Sequence, residues 1–296
     1  MLHDGITQGT ETTVTQQARY IQPKVKVNET RTWGIEIECI VSTHTAQYVA
    51  RKLGEALQQP VEFEGYNHYN GPQWKVVTDA SLCDRRGIEV VSPALKGKDG
   101  LKQLWTVCEV LRKVGARITR QCGLHVHHDA QDLGVDGWKS LFKLAAKFEE
   151  TVDDLVAPSR RGAQCCWAQS FKHETYSNTS HWGDVNMAHE FKRIDECLTL
   201  EQVTRVYRTR YTKVNGYSFW RHGTVEFRQH AGTVEFEKMV MWIHLTQRFV
   251  ETAAECKPVV QPRVKMRLDY LFSDVKVQRA ARPWFVERAA AFAAAA

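Results

Sequence analysis

The sequence predicts an α+β fold, an antiparallel sheet flanked by helices. Three observations lead there. Several short stretches alternate apolar and polar residues with a period of two. Several longer ones repeat apolar residues every three or four positions. The two kinds are mixed, without a strict β-α repeat, a Gly-rich loop or an internal repeat. At 296 residues, 43% hydrophobic and 25% charged, the chain can build a sizeable core without disulfides.

Residues 1–30, rich in Thr and Gln and without period, read as a flexible arm. Order is expected to begin near Arg31, where Arg31–Ile40 alternates apolar and acidic residues as a strand does. Ala46, Val49, Ala50, Leu53 and Leu57 repeat at helical spacing, with Pro60 just past the end. Short strands fit 61–64, 74–78 and 87–91. Leu101, Leu104, Trp105, Cys108 and Leu111 mark a second helix closed by Gly115. Arg117 to His128 reads as one or two strands. The stripe Trp138, Leu141, Phe142, Ala145, Phe148, Val152 and Leu155 is a long helix stopped by Pro158. Residues 159–185 are loop-like and 186–209 mostly helical. Lys213–Phe219 and Thr224–Gln229 read as a hairpin with Arg221-His222-Gly223 near its turn. Thr233 is placed to cap a long core helix carrying Phe236, Met239, Val240 and Ile243. The organisation expected is an arm over 1–30, a catalytic domain over 31–256 and a basic helical tail over 257–296.

Composition narrows the function. No apolar run approaches the roughly 20 residues of a membrane span, and the first twenty residues lack a signal peptide's apolar stretch. The eight cysteines form no C-x-x-C pair, which fits reduced thiols and a cytoplasmic setting. The net charge of +6 is concentrated from Lys257 onward, where eight Lys/Arg meet three Asp/Glu. The body is nearly neutral, so nucleic acid is not an expected partner except through that tail.

Side chains alternate faces along a strand. Glu36 and Glu38 therefore share one face of the first strand, His125 and His127 one face of another, and Glu226, Arg228 and His230 one face of a third. Asp79 and Glu89 add acids near strand ends. Wet outer faces mix Lys, Thr and Glu, yet these faces hold no lysine. Carboxylates sharing one space repel unless a cation sits among them, and hard oxygen ligands suit Mg²⁺ or Mn²⁺. Arg228 supplies the planar fork that matches a phosphate. Metal, carboxylates and arginine together point to phosphoryl transfer from a nucleotide, and neither a P-loop nor a kinase signature is present.

Four motifs occur in order: Gly34-Ile-Glu-Ile-Glu38; Asp79-x-Ser81 with Gly87-x-Glu89-x-x-Ser92-Pro93; Gly123-Leu-His-Val-His127; and Thr224-Val-Glu-Phe-Arg228 with Gly232-Thr233. Over about residues 31–255 the chain resembles the amidoligase family, within the glutamine synthetase and glutamate–cysteine ligase superfamily. The resemblance implies a curved antiparallel sheet holding ATP and Mg²⁺ (or Mn²⁺). By motif position, Glu36, Glu38, Asp79, Glu89, His127 and Glu226 would ligate metal, and Arg228 would contact phosphates. The implied reaction joins a carboxylate substrate to an amine substrate through an acyl phosphate. Arg160, Arg161 and Asn215 are further candidates for nucleotide or substrate contact, and His125 is open between ligand and structural histidine.

Three other readings compete. His125-x-His127 could be a zinc pair with Glu226 or His230 as a third ligand of a hydrolase. Cys122 could serve as a nucleophile with His125 or His127. The fold could also be an inactive ligase acting as a binding or structural module.

Overall fold

The computed structural model describes residues 20–67, 71–79, 81–82, 84–162, 165–171 and 187–295. Among them, seven strands form one open sheet: β1 (Trp33–Ile40), β2 (Glu62–Phe63), β3 (Lys75–Val77), β4 (Gly87–Val91), β5 (Gly123–Asp129), β6 (Val214–Asn215) and β7 (Thr224–Ala231). Their order is β2-β3-β4-β1-β5-β7-β6, antiparallel except for the β2/β3 pair. The helices are α1 (Ala46–Leu57), α2 (Gly97–Lys113), α3 (Val135–Lys147), α4 (Glu149–Asp153), α5 (Met187–Asp195), α6 (Leu200–Thr204), α7 (Ser218–His222), α8 (Phe236–Ala254), α9 (Leu268–Asp274) and α10 (Arg282–Ala294). The α+β class and the antiparallel sheet with flanking helices are as the sequence predicts.

Alternation sets which face is packed. Ile35, Ile37 and Cys39 of β1, Leu124 and Val126 of β5, and Val225 and Phe227 of β7 all enter the main core with α2, α3 and α8. Most of α8 is buried, which fits a helix lying between the sheet and its neighbours. Each fully buried Leu, Ile or Phe there contributes about 1.5–3 kcal/mol. Among the described residues no helix is long and apolar enough to cross a membrane, and the described cysteines are free thiols.

Several expectations shift. Residues 1–19 of the expected arm lie outside the described residues, but 20–30 are docked. Tyr20 packs edge-on to Trp105 and Phe236, Val25 and Val27 are buried, and Asn28 bonds Gln247 and Glu251. Only two apolar residues anchor this stretch, too few to register as a periodic element. The segment after 256 also joins the core, through Leu271, Phe272, Val275, Val277 and Phe285. Residues 163–164 and 172–185 of the expected loop, and residue 186 of the expected helical stretch, lie outside the described residues.

The helix expected over 138–155 breaks at Phe148 into α3 and α4. The stretch 117–128 holds one strand, β5, plus a lone bridge from Arg117 to Ile40. The expected hairpin keeps only two residues of its first strand. Asn215 Oδ1 accepts the Tyr217 N–H, Ser218 Oγ donates to the Asn215 and Thr224 carbonyls, and the chain turns into α7 instead. A β-carbon on Gly216 would stand 2.3 Å from the Thr204 carbonyl oxygen, so only glycine fits that turn. Thr233 does not cap α8. Its hydroxyl accepts from Glu235 N–H, and Glu235 is the N-cap.

Candidate active site

Strand register brings the polar pairs of separate strands together. Glu36 faces His125 across β1/β5, Glu38 faces Glu89 across β1/β4, His127 faces Glu226 across β5/β7, and Glu226 faces Asn215 across β7/β6. Directly opposed residues put their side chains within reach of one another. The open face of the sheet thus carries Glu36, Glu38, Glu89, His125, His127, Glu226 and Arg228 around one cavity of about 350 Å3, with Asp79 at its edge and Asn215 and Arg160 in its lining.

His125 sits at the centre. Its Nδ1 is 3.0 Å from Glu36 Oε2 and 3.5 Å from Glu226 Oε1, and its Nε2 is 3.6 Å from Glu38 Oε1. His127 Nε2 lies 3.4 Å from Glu36 Oε1 and 3.9 Å from Glu226 Oε1, while Nδ1 meets Thr224 Oγ1 at 3.0 Å. Gly123 N–H donates to Glu38 Oε2 at 2.6 Å. A β-carbon on Gly123 would come within 2.9 Å of His125 Nε2, so glycine there leaves room for the ring. Asn215 Nδ2 donates to Glu226 Oε2 at 2.6 Å. Arg228 pairs with Glu226 and donates from Nε to the Trp167 carbonyl at 3.0 Å.

The electrostatics follow from this crowding. Burial, then the charges of Glu36, Asp79 and Glu38, push Glu89 well above the carboxylate range. Burial also acts to raise Glu36, but hydrogen bonds and charge from His125 and His127 hold it well below. Glu226 is lowered against its burial by Arg228 first and the two histidines next. His127 is raised despite burial, because Glu36 and Glu226 favour its charged form. The protonated forms of His127 and Glu89 are thus both favoured, which offsets part of the negative charge on this face.

Three trios bring one ligand atom each within 4.8 Å of one another: Glu36, His127 and Glu226; Glu36, Glu89 and His125; Glu38, Asp79 and Glu89. They share Glu36 and Glu89 and so form a chain of cation-sized positions. Buried His127 Nε2 makes no well-aligned hydrogen bond, its nearest carboxylate oxygen being Glu36 Oε1 at 3.4 Å, so it is open to serve as a ligand nitrogen. The donor set, mostly carboxylate with imidazole, fits hard divalent cations.

Two neighbouring arginines of the sequence part company. Arg160 is buried and reaches the cavity, donating from Nη2 to the carbonyls of Gln121 and Cys122. Arg161 points away, donating to the Val156 carbonyl and stacking over Phe292 of α10. His230 also leaves the site. Val126 pairs with Phe227 but Leu124 pairs with His230, so Arg228 and Gln229 together oppose His125 in a β-bulge. Within the bulge Gln229 reaches Asp153 of α4, and past it His230 packs on Trp242 of α8. That removes His230 as a companion to His125-x-His127. Cys122 is buried, its sulfur against Thr119, and does not line the cavity.

Sequence reasoning missed the far wall: Trp167, Arg210, Tyr211, Arg221 and His222. Tyr211 carries Arg210 and Arg228 over its ring, with centroid distances of 4.9 and 5.9 Å. The basic and aromatic run Arg208-Thr-Arg-Tyr211 was the available signal. A second cavity of about 280 Å3 adjoins the first, sharing Glu36, His127 and His222 as a common wall. Among the described residues it is lined by no lysine or arginine.

A mostly antiparallel sheet packed by helices on one face, with a charged cavity on the other, defines an α+β protein whose site is built on the sheet itself. Residues 29–250, well over half of the chain, match the family described as "Putative amidoligase enzyme", and the chain belongs to that family. Membership supports an amide-bond-forming ligase. A search of the curated proteins finds no match to the chain.

Proposed function

We propose that the chain is an ATP- and magnesium-dependent carboxylate–amine ligase acting through an acyl phosphate. The observation that carries this reading is a single cavity that joins the chain of carboxylate–histidine trios to four arginines, Arg160, Arg210, Arg221 and Arg228. An acidic cluster alone would serve a cation, and arginines alone an anion. Both in one cavity suit a cation–polyphosphate pair.

Glu36, Glu38, Asp79, Glu89, His127 and Glu226, with His125 among them, would hold the cations. Bound Mg²⁺ or Mn²⁺ would neutralise charge on the transferring phosphoryl group. Arg228, steadied by Glu226 and the Trp167 carbonyl, keeps further N–H donors for phosphate oxygens. Asn215 fixes the second Glu226 oxygen. The γ-phosphoryl group passes to a substrate carboxylate, leaving ADP. The amine then attacks the acyl carbon, phosphate departs with the bonding electrons, and the amine loses a proton as the amide forms. The adjoining cavity gives the amine an approach from the other side of Glu36 and His127. There His222, lowered to about 4 by burial, His127 and Arg221, is neutral at pH 7 and can accept a hydrogen bond from it.

The test incubates the protein with magnesium-ATP and pooled amino acids, polyamines and peptides, reading phosphate release and condensed products by mass spectrometry. Release should require one carboxylate–amine pair. Glu38→Ala and Arg228→Ala should each reduce it on the order of 10²–10³-fold with circular dichroism unchanged. Full activity in both variants would remove the site assignment, and acceptor-independent release would make the protein an ATPase.

A further inference from the structure

The C-terminal helix α10 lies beyond the family-matched residues, yet it touches the turn that carries Arg160. Arg288 of α10 donates from Nε to the Leu155 carbonyl at 2.6 Å, and its Nη2 stands 3.2 Å from His230 Nε2 on β7. Phe292 lies under Arg161, 5.3 Å from guanidinium carbon to ring centroid, and under Arg288 at 4.9 Å. Arg161 in turn donates to the Val156 carbonyl. The turn from Leu155 through the 3-10 segment Pro158–Arg160 is thus held from behind.

From the front of that turn Arg160 reaches the cavity floor. Its Nη2 donates to the Cys122 carbonyl at 2.6 Å and to the Gln121 carbonyl at 2.8 Å. The Cys122 carbonyl belongs to the same peptide group as the Gly123 N–H, which donates to Glu38 Oε2 at 2.6 Å. A cation on the carbonyl side of a peptide strengthens the N–H as a donor, and hydrogen bonds in series polarise one another. One peptide plane therefore links Arg160 to a carboxylate of the Glu38, Asp79 and Glu89 trio.

We propose that α10 is a positioning element of the active site: Arg288 and Phe292 fix the Arg160 turn, and Arg160 fixes the Cys122–Gly123 peptide that orients Glu38. The relay through the protein stands on its own contacts. Its consequence for cation binding rests on the function proposed above. Partners that orient a ligand from behind typically change metal affinity 10- to 100-fold when removed.

The experiment compares the full-length protein with Arg160→Ala, Arg288→Ala and Arg288→Lys. Arg248→Ala serves as a control, since Arg248 supports the C-terminal segment at the Val275 carbonyl, away from this turn. Two readouts are taken: amide hydrogen exchange at Gly123, and Mn²⁺ affinity by titration. Arg160→Ala and Arg288→Ala should speed Gly123 exchange at least about tenfold relative to the control, with Arg288→Lys intermediate. Mn²⁺ affinity should fall roughly 10- to 100-fold in the two alanine variants and stay unchanged in Arg248→Ala. Unchanged Gly123 exchange in Arg288→Ala overturns the relay, as does equal acceleration in the control. Faster exchange in a protein that never binds Mn²⁺ upholds the relay and removes the cation-dependent reading. If either alanine variant does not fold, Arg288→Lys and Phe292→Leu carry the same comparison.

Discussion

On the helix-covered face of the sheet, Glu149 and Asp153 crowd together beside Lys213. The lysine Nζ donates to Asp153 Oδ1 at 2.7 Å and stands 2.7 Å from Glu149 Oε1, all but sealed from solvent. On the open face, ligand atoms of Glu38, Asp79 and Glu89 lie within 4.8 Å of one another, Glu36 joins Glu89 in a neighbouring trio, and no lysine lines their cavity among the described residues. One face carries its counter-cation in the chain. On the other, Glu89 is driven up by burial and by its carboxylate neighbours. Burial raises Asp153 on the packed face too, but there Lys213 opposes the shift, whereas the neighbours named for Glu89 are all carboxylates, which is what the proposed cation would relieve.

The largest effect expected from breaking this contrast is on the packed face. Lys213→Met leaves two buried carboxylates without their cation and should destabilise the protein by about 3–5 kcal/mol in urea denaturation. Adding Glu149→Gln should recover part of that loss; no recovery would mean the triad is not one electrostatic unit. The next effect belongs to the open face. Mg²⁺ or Mn²⁺ at a hundred times its dissociation constant should raise stability by about 2.7 kcal/mol. Glu89→Gln should cancel that gain while stabilising the cation-free protein. The sign follows from the raised folded-state value of Glu89. Its contribution is full below the unfolded carboxylate range and is lost as pH rises through the folded value, because the folded protein resists the ionisation that the unfolded chain undergoes freely. A melting temperature indifferent to both cations would collapse the difference between the faces.

The same contrast explains what was legible in the sequence. The period of two identified β1, β5 and β7 and assigned Glu36, Glu38, His127 and Glu226 to one side, because alternation holds wherever one face is packed. It failed at His230, where a single extra residue in β7 reversed the parity, and nothing local in Thr224–Ala231 announces a bulge. The turn at Asn215 was hidden for a related reason. Its cause is a side chain bonding its own backbone two residues on, against a Thr204 carbonyl brought in from another element. Arg160 and Arg161 are adjacent and chemically identical, and their tertiary partners separate them: the Gln121 and Cys122 carbonyls hold Arg160 at the cavity, while the Val156 carbonyl and Phe292 of α10 hold Arg161 away from it. The far wall of arginines and aromatics comes from loops and the short helix α7, whose positions depend on tertiary contacts rather than on periodicity.

Histidine carries the comparison to its smallest expected effect. His127, among carboxylates, is raised; His244 of α8, buried and near Arg248, is lowered to about 4. His244 bridges the chain's two ends: Nδ1 donates to the Lys26 carbonyl at 3.3 Å and Nε2 accepts the Gln278 N–H at 3.3 Å. Only the neutral ring can do both, since a proton on Nε2 would oppose the Gln278 donor. Between pH 6.5 and about 4 the unfolded chain binds a proton that the folded one does not. Stability is therefore complete above that window and lost as pH falls through it, by about 3 kcal/mol for this group. His230, lowered to about 3, acts in the same direction. His244→Gln can keep a donor and an acceptor without titrating. Its unfolding free energy, followed from pH 7 to pH 4, should fall less steeply than that of the parent protein. Parallel curves would show that the two ends are held by their buried apolar residues alone, and that the histidine between them is a bystander.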